Sequence, residues 1–340
     1  MTTRMLEESR EAPQAVARQL EADADAYAAL TQGLRDTPPQ SVLTVARGSS
    51  DHAAHYMAYL VMARLGRLVT SLPMSVVTLY QSQMRCEGLV SLAFSQSGQS
   101  PDLVSPTRFF RSGGARTVAI VNQPDSPLAE AAQWVLPLHA GPERSVAATK
   151  SYIAQLVAGA RIVAGWREDQ ALLAALHQLP LSLAQALDCD WTSGVEALRG
   201  ANRLFVIGRG TGLAIAMEAA LKFKETCNIQ AEAFSGAEVK HGPMALVEEG
   251  YPLLVFAPRG PAQAGLIALA AEMRERGARV LLAAPLGTPG AELPLAQTAH
   301  EDLDPIAAVQ SFYPMVEALA RARGLDPDQP RHLAKVTKTH

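Results

Sequence analysis

Apolar and polar residues follow two rhythms along this chain. Short unbroken apolar runs, Ser41–Ala46 (SVLTVA), Leu89–Phe94 and Thr117–Val121, read as buried strands, each bounded by Gly, Ser or Pro turns. Residues 51–65 and the stretch opened by Pro101 and closed by Gly113-Gly114 carry helical spacing between those runs. Ahead of them Val16, Leu20, Ala24, Tyr27, Leu30 and Leu34 recur every three or four residues, so the pattern predicts one opening helix over Pro13–Gly33. Strand, Gly/Ser turn and helix in succession make an anion-binding arrangement, because the first backbone N–H groups of the helix point out of its positive end.

The same plan occurs twice. Leu43-Thr44-Val45-Ala46-Arg47-Gly48-Ser49 returns as Phe205-Val206-Ile207-Gly208-Arg209-Gly210-Thr211, and Leu92-Ala93-Phe94 with Gly98 returns as Leu254-Val255-Phe256 with Gly260. Gly114-Ala115-Arg116 before one strand matches Gly277-Ala278-Arg279 before another. Two halves that each alternate strand and helix predict an α/β fold with two parallel sheets, each flanked by helices on both faces, and ligands at the carboxyl ends of the strands. The join is expected in the helical stretch between about Arg167 and Arg199.

The halves differ where chemistry belongs. The first carries Ser95-Gln96-Ser97-Gly98-Gln99-Ser100, which offers three hydroxyls and unobstructed backbone N–H groups before a helix that Pro101 opens; a phosphate monoester suits it, and the plainer reading is a polar turn with a serine cap. The second has Ala257-Pro258-Arg259-Gly260 there, with no serine. It carries instead the stretch Glu218–Leu246, in which Glu218, Lys222 and Glu225 fall on one helical stripe and His241 follows in a loop before Gly242-Pro243. Acids, a lysine and a histidine so placed suit proton transfer; a solvated helix with ion pairs is the ordinary alternative. One half would hold an anion and the other would move protons.

Composition narrows the classes. A formal charge of −3 without a Lys/Arg cluster argues against a nucleic-acid surface. The most apolar helical run, Ile153–Trp166, is interrupted by Gln155 and Arg161 and is too short to span a bilayer, so no membrane is expected. Cys86, Cys189 and Cys227 lack metal-ligand spacing, and with a polar start this points to a reducing, cytoplasmic setting. Asp51-His52-Ala53-Ala54-His55 places two histidines at i, i+3 without a third ligand, more a decorated helix start than a metal site. Residues 143–151 read as a loop entering a helix, where small residues permit close approach of a ligand, and Lys335 lies in a terminal tail.

These motifs together resemble a known family. Arg10-Glu11-Ala12-Pro13, Gly48-Ser49-Ser50, Ser95-Gln96-Ser97-Gly98, Val146-Ala147-Ala148-Thr149-Lys150, Leu221-Lys222-Phe223-Lys224-Glu225, Glu238-Val239-Lys240-His241-Gly242-Pro243 and Pro330-Arg331-His332-Leu333-Ala334-Lys335 occur in the order seen in the isomerase half of glucosamine-6-phosphate synthases and in related phosphosugar deaminases. Those proteins are built from two tandem sugar isomerase (SIS) domains. The resemblance implies an N-terminal helical segment (1–34), a phosphate-binding SIS domain (35–188), a second SIS domain with the acid–base helix (189–325) and a tail over the active site (326–340). It implies that Ser50, Ser95, Gln96, Ser97 and Ser100 hold the sugar phosphate and that Val146 and Ala147 line the sugar. It further implies that Glu225 carries a proton between C1 and C2 with Lys222 beside it, that His241 opens the sugar ring from a neighbouring subunit of a homodimer, and that Lys335 engages the open-chain sugar. No metal or organic cofactor is implied.

Departures separate this chain from the synthases. It has Arg47 where they tend to have Cys or another small residue, Gln99-Ser100 for Glu-Thr, and His332 for Asn, changes that look like the stand-alone deaminases. No glutaminase segment precedes the matching part, so glutamine-dependent synthesis is not expected of it. The resemblance therefore implies deamination of glucosamine 6-phosphate, with a fructosamine-6-phosphate deglycase, a galactosamine-6-phosphate deaminase and a non-catalytic sugar-phosphate sensor as alternatives.

Overall fold

The computed structural model describes residues 2–335. Two compact units are present, each built on its own five-stranded sheet. The first comprises Gln14–Glu143, Lys150–His177 and the tail from Ala334; the second comprises the segment up to Pro13, Arg144–Thr149 and Gln178–Leu333.

In the first unit, strands β1 (Ser41–Val45), β2 (Val69–Ser71), β3 (Leu89–Ser95), β4 (Arg116–Val121) and β5 (Trp134–Pro137) form a parallel sheet in the order β2-β1-β3-β4-β5. Its inner strands are apolar and buried almost throughout, as a sheet covered on both faces requires. Phe110, Leu128, Val121 and Leu103 pack into one core cluster with them.

The second unit repeats the plan. Strands β6 (Arg203–Gly208), β7 (Gln230–Ser235), β8 (Pro252–Phe256), β9 (Arg279–Pro285) and β10 (Leu293–Leu295) run parallel in the order β10-β9-β8-β6-β7, the same topology read from the other edge. The internal repeat extends to backbone detail: Gly48 has φ 54°, ψ −135° and Gly210 has φ 63°, ψ −136°. A side chain is strained in that conformation, so glycine stands at both strand-to-helix turns.

The opening helix differs from expectation. In place of one helix over Pro13–Gly33 there are helices Ala12–Glu21 and Ala24–Asp36, preceded by Arg4–Arg10, which Thr3 caps at Leu6 N. The break falls at Asp23, which is left-handed (φ 56°), with its carboxylate 2.5 Å from His139 Nε2. The apolar spacing runs through this break, so periodicity cannot reveal it. The helix expected from about Asp51 begins at Ser49. The join consists of helices Lys150–Arg167, Gln170–Leu187 and Thr192–Leu198. Among the described residues no helix is long and apolar enough to cross a membrane.

Candidate active site

In the first unit, the turn after β1 and the loop after β3 lie at the carboxyl ends of two adjacent strands. Ser95 ends β3 buried, and its Oγ accepts the Gly98 N–H at 3.0 Å; Ser97 Oγ accepts the Gln99 N–H at 3.3 Å. Gly98 has φ +63°, and a Cβ there would lie 2.1 Å from Ser126 Oγ, so the loop is folded tightly against residue 126. Ser100 occupies the N-cap position of helix Pro101–Ser112, where its carbonyl accepts the Leu103 and Val104 N–H groups but its hydroxyl accepts none. The capping reading of this serine therefore fails in its specific form. Ser50, in the first turn of helix Ser49–Leu65, accepts a bond from Gln155 Nε2 at 3.0 Å. Gln96 and Ser97 are half-buried, so the loop presents backbone N–H groups and hydroxyls at a partly accessible strand end.

Glu143 and the tail lysine meet in the same unit. The Glu143 side chain is fully buried, accepts the Ser151 N–H at 3.1 Å and the Ser151 hydroxyl, and lies 3.5 Å from Lys335 Nζ. Ser151 belongs to the first turn of helix Lys150–Arg167, where a carboxylate is favoured by the helix dipole. Glu143 thus ties the start of that helix to the tail.

The second unit holds the acid–base group. On helix Thr211–Cys227, Lys222 Nζ lies 3.4 Å from Glu218 Oε1 and 2.5 Å from Glu225 Oε2. The Lys222 and Glu218 side chains are buried, whereas Glu225 is 18% exposed. Tyr313 Oη adds a donor to Glu218 at 3.4 Å. Burial acts to lower the Lys222 pKa, but the two carboxylates outweigh it and hold the ammonium above its ordinary value. The lysine is a fixed cation, and Glu225 is the member of the group that a substrate can reach.

Val146 and Ala147 also lie in the second unit. Their loop is anchored by Glu8, whose carboxylate accepts the backbone N–H groups of Arg144 and Ser145. His241 caps a short 3₁₀ turn, Glu238–Lys240, and is exposed, with Pro243 opening a second such turn. Among the described residues no hydrogen bond or ion pair links His241 to Glu225. The structure therefore groups Ser50, Ser95, Gln96, Ser97, Ser100 and Lys335 in one unit, and Val146, Ala147, Lys222, Glu225 and His241 in the other. Sequence reading missed Glu8, Tyr313 and the pairing of Glu143 with Lys335, because each acts on residues far away in the chain.

His55, one of the two histidines of the first unit's helix start, has its ring centroid 5.6 Å from that of Tyr59, and among the described residues no three His, Cys, Asp or Glu side chains are grouped as a metal site needs.

A family model described as the SIS domain matches residues 37–164 and 197–316. Over 97% of its length the chain is 37% identical to the glutamine–fructose-6-phosphate aminotransferase (isomerizing) of Aeropyrum pernix, of which it covers 56%. The chain spans about half the length of the curated relatives it matches. Among solved structures, a protein from Silicibacter pomeroyi DSS-3, provisionally described as a phosphosugar isomerase, is 45% identical with a TM-score of 0.91; the match covers 96% of this chain and 100% of that one. The C-terminal domain of glucosamine-fructose-6-phosphate aminotransferase from Francisella tularensis, 24% identical, shares the fold with a TM-score of 0.86 over 97% of this chain and 99% of that one.

Proposed function

We propose that this chain, which belongs to the SIS-domain family, is an aldose–ketose isomerase of sugar 6-phosphates that deaminates an amino-sugar phosphate, with glucosamine 6-phosphate as the preferred substrate. The observation that carries this reading is the buried Lys222 held between Glu218 and a partly accessible Glu225. A base that must take a proton from carbon and return it to a neighbouring carbon needs one accessible carboxylate, kept ionised and fixed in direction. Lys222, 2.5 Å from Glu225 Oε2, fixes that direction.

The reaction then runs as follows. The serine loop after β3 and Ser50 bind the phosphate, and Val146 and Ala147 line the sugar. His241, from a second subunit of a homodimer, protonates the ring oxygen and opens the pyranose. Glu225 removes the proton at C2, the resulting enolamine is protonated at C1 by the same carboxyl group, and the product is the C2 imine of fructose 6-phosphate. Water adds to that imine and ammonia leaves, so one glucosamine 6-phosphate and one water give one fructose 6-phosphate and one ammonia. Lys335, paired with Glu143, engages the open-chain sugar from the tail. Relatives whose names join isomerisation to amination of fructose 6-phosphate support the substrate class.

The test is release of ammonia and fructose 6-phosphate from glucosamine 6-phosphate, with galactosamine 6-phosphate and a fructosamine 6-phosphate run alongside. Turnover of glucosamine 6-phosphate, lost in Glu225→Gln, is expected. Turnover confined to another of the three would overturn the substrate assignment, and tight binding without turnover of any would leave a sensor.

A further inference from the structure

The carboxyl end of the first sheet carries one cation that the serine loop does not require. In the order β2-β1-β3-β4-β5 the chain departs from β1 toward one side of the sheet and from β3 toward the other, which opens a crevice between the turns that follow those two strands. Both lips are starts of helices, Ser49–Leu65 and Pro101–Ser112, and at neither does the N-cap side chain take up a first-turn N–H. Arg47 stands on the first lip, two residues beyond the end of the strand. Its Nη2 donates to Asp102 Oδ2 at 3.1 Å, and Asp102 lies in the first turn of the helix on the second lip. The ion pair therefore spans the crevice.

The two partners are unequal. The Asp102 side chain is 7% exposed and sits at a helix start, where a carboxylate is already favoured by the dipole. Arg47 is 58% exposed, and among the described residues no acceptor takes up its Nε or Nη1. A guanidinium held at one nitrogen keeps a planar edge of parallel N–H groups, the geometry that matches two oxygens of a phosphate. The second unit offers an internal comparison. Arg209 corresponds to Arg47 there, but Ala264 stands where Asp102 would, no serines follow β8, and among the described residues Arg209 makes no ion pair. Of these two corresponding arginines, among the described residues only Arg47, beside the serine loop, is tethered to a carboxylate.

We infer that Arg47 is a specificity-determining ligand of the substrate phosphate, held across the crevice by Asp102 so that a dianionic monoester is selected over an uncharged sugar end. The inference rests on the phosphate reading of the serine loop proposed above. It assigns binding to a position where the related synthases carry a small residue.

The experiment measures calorimetric binding of inorganic phosphate to wild type, Arg47→Ala, Arg47→Lys and Asp102→Asn, with melting curves to show that each is folded. Arg47→Ala is expected to weaken phosphate binding about 10- to 100-fold, the range for a charge-assisted hydrogen bond. Arg47→Lys should recover part of it, since charge remains and the fork is lost. Asp102→Asn should fall between wild type and Arg47→Ala. In turnover, the ratio of kcat/KM for glucosamine 6-phosphate over glucosamine should drop by the same factor in Arg47→Ala, with the loss in KM rather than kcat.

Phosphate binding or substrate discrimination unchanged in Arg47→Ala would overturn the inference and leave a surface ion pair. Absence of phosphate binding to wild type would overturn it as well. Phosphate binding that depends on Arg47, with no turnover of any amino-sugar phosphate, would uphold it while refuting the proposed reaction.

Discussion

Replacing Lys222 by Met isolates the charge on which the acid–base group depends. The thioether keeps the length and helix propensity of the lysine while removing the cation that pairs with both Glu218 and Glu225. Glu218 is fully buried and would keep Tyr313 Oη at 3.4 Å, whereas Glu225, 18% exposed, is partly relieved by water. Removing one partner of a buried pair costs about 3–5 kcal/mol, and partial hydration of Glu225 places this case near 4 kcal/mol. The pH dependence has a definite sign. The Lys222 pKa is raised in the folded chain, because its two carboxylates outweigh the lowering effect of burial. Its contribution is therefore complete below the ordinary lysine value and disappears only as pH rises through the folded one. Wild type should show no loss from this group between about pH 5 and pH 8. Urea unfolding followed through Trp191, in a background with Trp134 and Trp166 changed to Phe, reports the second unit alone. A loss under about 1 kcal/mol at pH 7, or a wild-type stability contribution of Lys222 that falls between pH 5 and pH 8, would refute the reasoning.

Gly98→Ala would place a Cβ 2.1 Å from Ser126 Oγ at a φ of +63°, so it should cost about 2–3 kcal/mol in urea unfolding and weaken phosphate binding. Arg259 Nε lies 2.6 Å from Asp304 Oδ2 and its Nη2 lies 2.8 Å from Oδ1, with Asp304 3% exposed; Arg259→Ala should cost about 3–5 kcal/mol in the same assay, and Arg259→Lys, which keeps charge without the fork, distinctly less. Burial pushes the Cys227 thiol up to about 11 and raises that of Cys86, so near pH 8 a thiol reagent should modify Cys189 quickly and the other two only as the chain opens. Equal rates at all three cysteines would contradict that burial pattern.

The parts of the fold legible in the sequence are those that composition alone specifies. β1, β3, β4, β6, β8 and β9 are apolar because both faces of a parallel sheet are covered, and three of them stood out as unbroken runs while the repeat located others. The flanking strands were not legible. Val69–Ser71 is three residues long and mostly exposed, Gln230–Ser235 alternates with polar residues, and Leu293–Leu295 contains a proline that an edge strand tolerates. The stripe of Glu218, Lys222 and Glu225 was legible because helical spacing is local. Glu8 anchoring the Val146 loop, Glu143 meeting Lys335, and Asp23 breaking the opening helix beside His139 were not, since each joins segments more than a hundred residues apart.

The central claim is that Glu225 moves a proton between adjacent carbons of the sugar. It is tested most directly by turning over glucosamine 6-phosphate deuterated at C2 in ordinary water and locating the label in fructose 6-phosphate by NMR. The account predicts deuterium carried from C2 to C1 in the wild-type product, and neither turnover nor labelling in Glu225→Gln. Near-normal labelled turnover by Glu225→Gln, with activity abolished instead by Glu218→Gln, would contradict it.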